Sequence, residues 1–279
     1  MLDTAWVATR ERARTHTQDG PGPSVADRMF TVLDVCAARS GPLTLVDLGQ
    51  LTGLPKTTLH RVCWKLVELR VLEHSDRGFQ MSARLYALGA MSPGLRRLRA
   101  TAMPLMHTLV SRTGWMANLG VLYEHTALVV DEVAGSVQLP PKERMLGTTM
   151  PLYATALGKA LAANAAEALI DKLCEPALLR PFTGNTIVRT AILRPHLEEV
   201  RRRGYAISRE ELRLGTCGVA APVIVDGELA AAIALVGPPD EAALRRLTLP
   251  VKLTAQRLAE ALGSAAPGGA LPASVGGGA

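Results

Sequence analysis

The chain contains few aromatic residues and few cysteines, and each shortage excludes a class of site. Only 4% of its 279 residues are Phe, Trp or Tyr, which argues against a surface that stacks single-stranded nucleic acid on a row of rings. The four cysteines are widely spaced, without a C-x-x-C pair or a neighbouring histidine cluster. We interpret them as small buried hydrophobes in a reducing compartment. We therefore predict neither a metal site nor a cofactor.

Long hydrophobic runs and catalytic motifs are also missing. The longest strongly apolar stretch, residues 229–236, is far shorter than the ~20 residues that span a bilayer, and the N-terminus lacks the apolar core of a signal peptide. We expect a cytoplasmic protein that meets no membrane. The sequence has no phosphate loop, nucleophile elbow or dinucleotide fingerprint. Gly158-Lys159 resembles the end of a phosphate loop, but Ala160 replaces the metal-binding hydroxyl, so we predict that the chain is not an enzyme and has no catalytic residues.

Positive charge is concentrated in the first third of the chain. Hydrophobic residues make up 48% of the chain and charged residues 20%, which is ordinary for a globular protein of about two domains. Fourteen Lys and Arg stand against nine Asp and Glu in residues 1–100, but seventeen against sixteen in the rest. This asymmetry predicts that the first domain meets a polyanion and the second a nearly neutral partner.

Both ends of the chain are expected to be disordered tails. Residues 1–23 are polar and end in Gly-Pro-Gly-Pro, and residues 264–279 are rich in Gly, Ala and Pro. Neither segment has enough apolar side chains to offset the entropy lost on ordering. Arg10, Arg12 and Arg14 form either an arm that touches phosphates or a solvated tail, and both interpretations stay open.

Helical patterns followed by a hairpin define residues 24–82 as a predicted domain. Ser24 is a suitable N-cap for the first helix, the second runs from Thr44 to Gly53, and the third starts at about Pro55, because proline suits the first helical turn. Two short strand-like pieces then flank a turn at residues 75–78. This order predicts a winged helix-turn-helix.

The third helix has the residues of a major-groove reader. Its leucine-rich face packs on the domain core, which leaves hydroxyl and basic side chains near its N-terminal end for base edges and phosphates. Each of these residues alone is an ordinary surface residue, so the prediction rests on the constellation. We predict contacts with double-stranded DNA from Thr44, Lys56, Thr57, Thr58, His60, Arg61, Lys65 and Arg77. Trp64 lies off the leucine face and is expected to pack on the wing.

Residues 83–113 form a predicted helical linker, and residues 114–263 a second domain. Two helical patterns occupy the linker, and we interpret Arg96, Arg97 and Arg99 as solvated charges rather than phosphate contacts. Beyond it, strand-like segments at 116–122, 127–133, 219–225 and 229–236 mix with helical segments at 154–163, 165–173, 193–203 and 241–262. Asp226-Gly227 between two strands indicates a hairpin. We predict an α+β domain with an antiparallel sheet.

Two motifs resemble those of the isocitrate lyase regulator (IclR) family of bacterial transcription factors. The first is Pro-Leu-Tyr-Ala-Thr-Ala-Leu-Gly-Lys-Ala-Leu at 151–161, and the second runs from Arg209-Glu210-Glu211 to Gly237-Pro238. The resemblance covers about residues 24–262. It implies a winged helix-turn-helix, a helical linker and a C-terminal GAF-like domain that binds a small-molecule effector. It further implies a homodimer or homotetramer on a palindromic operator, most simply as a repressor, although the residues leave repressor and activator open.

The resemblance also implies where the effector binds. The positions assigned to it are Leu139, Met150, Ala154, Ala156, Leu157, Ser208, Cys217, Gly218, Ala234 and Val236. Gly218 stands where the family often has a cysteine, and the thiol of Cys217 lies one residue earlier. Ser208 stands where the family commonly has a carboxylate, and Ala234 and Val236 stand where members that bind small acids have serines. So few polar groups would not compensate the desolvation of a small dianion or keto acid. We expect a larger, more apolar effector, such as an aromatic or lactone-like metabolite, unless these residues are only core.

Two further expectations concern single positions. Arg70 stands where the family usually has the glycine that ends the recognition helix. Because a left-handed conformation is costly for arginine, we expect this helix to end differently or to run on slightly. Cys217, alone or with His125, leaves a redox-sensing or metal-sensing regulator as the alternative function.

Overall fold

The structure is a computed structural model that describes residues 23–39, 41–137 and 145–264. These residues form two compact units, one ending at Met91 and the other beginning at Ser92. The predicted tail residues 1–22 and 265–279, with the three tail arginines, lie outside the described residues, as does Leu139.

The first unit is a winged helix-turn-helix, as predicted. Its elements are α1 (Val25–Ala37), α2 (Leu45–Thr52), α3 (Lys56–Glu68), β1 (Leu72–Ser75), β2 (Gly78–Met81) and α4 (Ala83–Ala90). Ser24 caps α1 and Thr44 caps α2, each in a capping box with the aspartate three residues later. These reciprocal bonds satisfy backbone N–H groups that a helix start leaves free, so both helices begin where the sequence indicates.

The wing is fixed to the helices by a short bridge. The backbone of Phe79 exchanges two 2.8 Å hydrogen bonds with Leu43, and the Phe79 ring is buried with the leucines of α2 and α3. A Cβ at Gly78 would lie 2.3 Å from the carbonyl oxygen of Leu43. Only glycine allows this approach, which sets the position of the turn that carries Arg77.

The expectation for Arg70 was wrong. Helix α3 ends at Glu68, and Arg70 adopts the left-handed conformation with φ of 57°. The Arg70 and Val71 N–H groups donate to carbonyls of the last helical turn at 2.8 Å, and the Ser82 hydroxyl donates to the Arg70 carbonyl at 2.5 Å. These bonds hold an arginine in the conformation that glycine would adopt at less cost.

The second unit contains an antiparallel sheet with helices on both faces, which confirms the predicted α+β class. Its elements are α5 (Pro93–Thr113), β3 (Met116–Tyr123), β4 (Thr126–Val133), β5 (Thr149–Pro151), α6 (Ala156–Ala162), α7 (Glu167–Leu173), a 3₁₀ turn (Pro176–Leu178), α8 (Thr190–Arg203), β6 (Ala206–Arg209), β7 (Cys217–Val225), β8 (Glu228–Gly237) and α9 (Glu241–Gly263). The strand order in the sheet is β5-β4-β3-β8-β7-β6. The β7–β8 hairpin turns at Asp226 and Gly227, both with positive φ, as the sequence indicates.

The sheet separates two hydrophobic cores. Helices α5 and α9 cover one face, where Leu98, Leu119, Val219 and Leu258 are buried together. Helices α6 to α8 belong to the other face, where the core includes Leu157, Leu193, Ala220 and Ala234. None of the helices in the described ranges combines the length and the hydropathy needed to cross a bilayer.

Helix α5, expected as the second half of a linker, is part of the second unit. Its Leu98, Ala102 and Met106 are fully buried in the core of that unit. The Arg99 side chain lies 3.0 Å from the Asp131 carboxylate, and Arg97 donates to the carbonyl of Leu262. These two arginines are therefore bound within the unit, whereas the linker prediction treats them as solvated charges.

Candidate functional site

The exposed face of α3 carries most of the predicted DNA-contacting residues. Lys56, Thr57, His60 and Arg61 are exposed, and Thr58 is half-buried. The opposite face of the helix is fixed in the core by Leu59, Val62, Cys63 and Leu66. Short hydroxyls and basic side chains thus share the first turns of a rigid helix, which is the arrangement that reads base edges in the major groove.

Local contacts distinguish the remaining members of the set. Lys65 forms a 2.8 Å ion pair with Glu68, which reduces its availability to a phosphate. The Thr44 hydroxyl lies 2.6 Å from the Asp47 carboxylate and accepts from the Asp47 N–H, so it is used as a helix cap. Arg77 is exposed in the turn of the wing.

Trp64 packs on the wing, as expected. Its ring centroid lies 4.9 Å from that of His74 and 5.8 Å from that of Phe79. Its indole N–H donates to His60 Nε2 at 3.0 Å. Nε2 is then an acceptor, which leaves Nδ1 of His60 as the donor for an external group.

The predicted effector residues meet on the α6 face of the sheet, with two exceptions. Met150, Ala154, Ala156, Leu157 and Ala234 are buried in one cluster. Ser208, Gly218 and Val236 form a row of directly paired positions across β6, β7 and β8, and the Ser208 hydroxyl donates to the Ala154 carbonyl at 3.3 Å. Leu139 lies outside the described residues, and Cys217 lies elsewhere.

Cys217 belongs to the opposite face of the sheet. It is buried in the α5–α9 core, one position out of phase with Gly218. Burial raises the pKa of its thiol, which lowers the thiolate fraction that oxidation or metal binding needs. In the described part of the chain no group of three or more His, Cys, Asp or Glu side chains could hold a metal ion. The redox and metal alternatives therefore gain no support from this geometry.

A buried ion pair between helix α6 and the segment after β6 was not predicted. Lys159, on α6, is fully buried, and its Nζ lies 2.6 Å from Oε1 of Glu211. The same oxygen accepts from the Arg209 N–H at 3.2 Å. Burial lowers the pKa of Lys159 and the Glu211 carboxylate opposes this shift. The two residues are 52 positions apart, and no spacing rule in the sequence connects them.

His196, on α8, is a neutral imidazole near this pair. Its Nε2 is buried without a hydrogen-bond partner among the described residues. Burial lowers its pKa to about 4, with the positive charges of Lys159, Arg203 and Arg209 acting in the same direction and Glu199 opposing them.

We expect this histidine to make the fold acid-sensitive. The unfolded imidazole titrates near pH 6.5, so between about pH 6.5 and 4 the unfolded chain binds a proton that the folded chain does not. The contribution of His196 to the free energy of unfolding should thus be complete above pH 6.5, and the free energy should decline as the pH falls through this window. Urea denaturation should show a flatter pH profile for His196→Gln. The exposed His107→Gln serves as control, and identical profiles for His196→Gln and wild type would contradict the assignment.

A winged helix-turn-helix joined in one chain to a sheet domain with a buried, mostly apolar site defines a ligand-responsive DNA-binding regulator. Residues 25–76 match the IclR helix-turn-helix domain, and residues 95–260 match the bacterial transcriptional regulator IclR C-terminal family. The chain belongs to the IclR family of bacterial transcriptional regulators. As the sequence predicts, it is a regulator and not an enzyme.

Individual relatives agree with this assignment. The chain is 32% identical to the HTH-type transcriptional regulator BhcR of Paracoccus denitrificans over 79% of its own length and 80% of that protein. It is 29% identical to the transcriptional repressor IclR of Escherichia coli, over 76% of its own length and 78% of that protein. Its fold resembles that of an IclR homolog from Microbacterium hydrocarbonoxydans complexed with 4-hydroxybenzoate, with a TM-score of 0.78 and 24% sequence identity. The match covers 87% of this chain and 100% of the homolog.

Proposed function

We propose that this protein is a repressor that binds a palindromic operator as a homodimer or homotetramer and responds to an apolar, aromatic effector. The exposed face of α3 supports DNA recognition, with Lys56, Thr57, Thr58, His60 and Arg61 at base edges and phosphates and Arg77 on the flanking backbone. Two such helices, related by the symmetry of the oligomer, would occupy the two half-sites.

The composition of the α6 face carries the proposal for the effector. Most of its side chains are hydrocarbon, namely those of Ala154, Ala156, Leu157, Ala234 and Val236. The Ser208 hydroxyl already donates a hydrogen bond to the Ala154 carbonyl. A small keto acid would lose its hydration there for few replacement hydrogen bonds. An aromatic body would instead gain about 25 cal/mol for each Å² of apolar surface buried. The 4-hydroxybenzoate complex of the Microbacterium homolog agrees with this class.

The proposed coupling is a population shift. Effector binding would favour one arrangement of the oligomer over another and so change how the two recognition helices fit the operator. A coupling free energy of about 1–3 kcal/mol is sufficient for such regulation.

Titration calorimetry on the full chain tests the effector class. We expect 4-hydroxybenzoate and related aromatic acids to bind more tightly than glyoxylate or pyruvate, because only the aromatic compounds bury apolar surface. Ala234→Ser together with Val236→Ser should shift the preference toward the small acids by supplying hydroxyl groups. Tight binding of glyoxylate or pyruvate to the wild-type chain, with the aromatic acids silent, would refute the proposal.

A further inference from the structure

Asn118, on β3, is a fully buried polar residue on the face assigned to the effector. It is 1% exposed. Its neighbours Ala117 and Leu119 pack into the α5–α9 core, so strand alternation turns Asn118 to the α6 side. Its directly paired residue on β8 is Ala234, which belongs to the α6-side core. The row of paired positions continues through Ala220 to Ala206.

The side-chain oxygen of Asn118 has no hydrogen-bond partner within the part of the chain that the structure describes. The adjacent side chains explain this. Ala234 on one side is apolar, and Glu132 is the directly paired residue on the other side; as a carboxylate it accepts and cannot donate. A buried acceptor without a donor destabilises the fold, because no protein hydrogen bond replaces its lost hydration.

Helix α6 packs against the strand that carries Asn118. Gly120 follows Asn118 by two residues on the same face, and a Cβ at Gly120 would lie 2.6 Å from Cδ2 of Leu157. Leu157 therefore covers the strand next to Asn118. The row of alanines beside Asn118 leaves the shortest side chains where a flat apolar molecule would lie.

We propose that the Asn118 amide oxygen accepts a hydrogen bond from the effector and selects effectors that carry a hydroxyl or N–H group on an apolar body. This inference rests on the proposed function and narrows it, because an apolar face alone does not distinguish a phenol from its methyl ether. The oxygen, which has no donor among the described residues, receives one on binding.

Calorimetric titration of matched compounds tests the hydrogen bond. The probes are 4-hydroxybenzoate and 4-methoxybenzoate, and the proteins are full-length wild type, Asn118→Ala and Asn118→Leu. We expect wild type to bind the phenol about 10-fold more tightly, which is the discrimination of a single buried hydrogen bond, and both variants to lose this ratio. The exposed Asn185→Ala should keep it. A merely structural role for Asn118 would weaken both compounds alike.

The outcomes separate this inference from the proposed function. Equal affinity of wild type for the two compounds, or a ratio that survives in both variants, overturns the role of Asn118 and leaves the apolar effector class standing. Binding of keto acids alone refutes the effector class. If no compound binds, thermal unfolding decides. At least one of the two variants should then melt about 2–4 °C above wild type, because the substitution removes a buried acceptor without a donor. Lower melting temperatures for both variants would overturn the role of Asn118.

Discussion

Thr58→Ala combined with Arg61→Ala should reduce operator affinity by about 100-fold or more while the protein stays folded. Both residues lie in the first turns of α3, and Arg61 makes no ion pair with any residue that the structure describes. A well-placed base contact is worth about 1–3 kcal/mol, and loss of a phosphate contact lowers the slope of affinity against salt by about 1. Fluorescence anisotropy over a range of salt concentrations measures both quantities.

Two single substitutions make this test specific. Lys65→Ala should cost less affinity than Arg61→Ala, because Lys65 is paired with Glu68 at 2.8 Å. Arg246→Ala removes an exposed charge from α9, in the second unit, and should have little effect. Unchanged gel shifts of the double variant at physiological salt would show that α3 is not the reading helix.

Lys159→Met should destabilise the second unit by about 3–5 kcal/mol, because it leaves the Glu211 carboxylate buried without its counter-charge. Lys159 is fully buried and the Glu211 side chain is 6% exposed, so water cannot replace the lost partner. In the double variant Lys159→Met/Glu211→Leu, most of the stability should return, since no buried charge remains. Urea denaturation measures each free energy.

A surface pair provides the matched control. Arg202 and Glu199 lie 2.6 Å apart, with side chains 77% and 43% exposed, so Arg202→Met should change stability by less than about 1 kcal/mol. If Lys159→Met were as mild as Arg202→Met, the Lys159–Glu211 pair would not be a buried ion pair in solution.

Local features of the sequence predicted the individual elements well. The capping boxes at Ser24 and Thr44 and the hairpin at Asp226-Gly227 involve residues within a few positions of one another, so their geometry follows from local chemistry. The long strands and helices of the second unit also match their patterns. Strands β5 and β6 have three and four residues, which is too short to show a period.

Long-range pairing accounts for what the sequence did not show. The Lys159–Glu211 contact depends on how α6 meets the end of β6. Cys217 and Asn118 lie in strands buried on both faces, where apolar residues occupy both phases of the alternation. Strand order and register then decide the face, which places Asn118 in the candidate site and Cys217 behind it. Arg70 departs from its expected conformation because Ser82 and backbone bonds outweigh the local preference.

Effector binding is expected to change the affinity of the full-length protein for its operator DNA. The affinity of the full-length protein for the DNA upstream of its own gene is measured with and without a saturating aromatic acid that calorimetry shows to bind. The Kd should change by about 5-fold to 150-fold, the usual range of allosteric coupling. An acid that binds the protein and leaves the Kd for DNA unchanged would contradict this coupling.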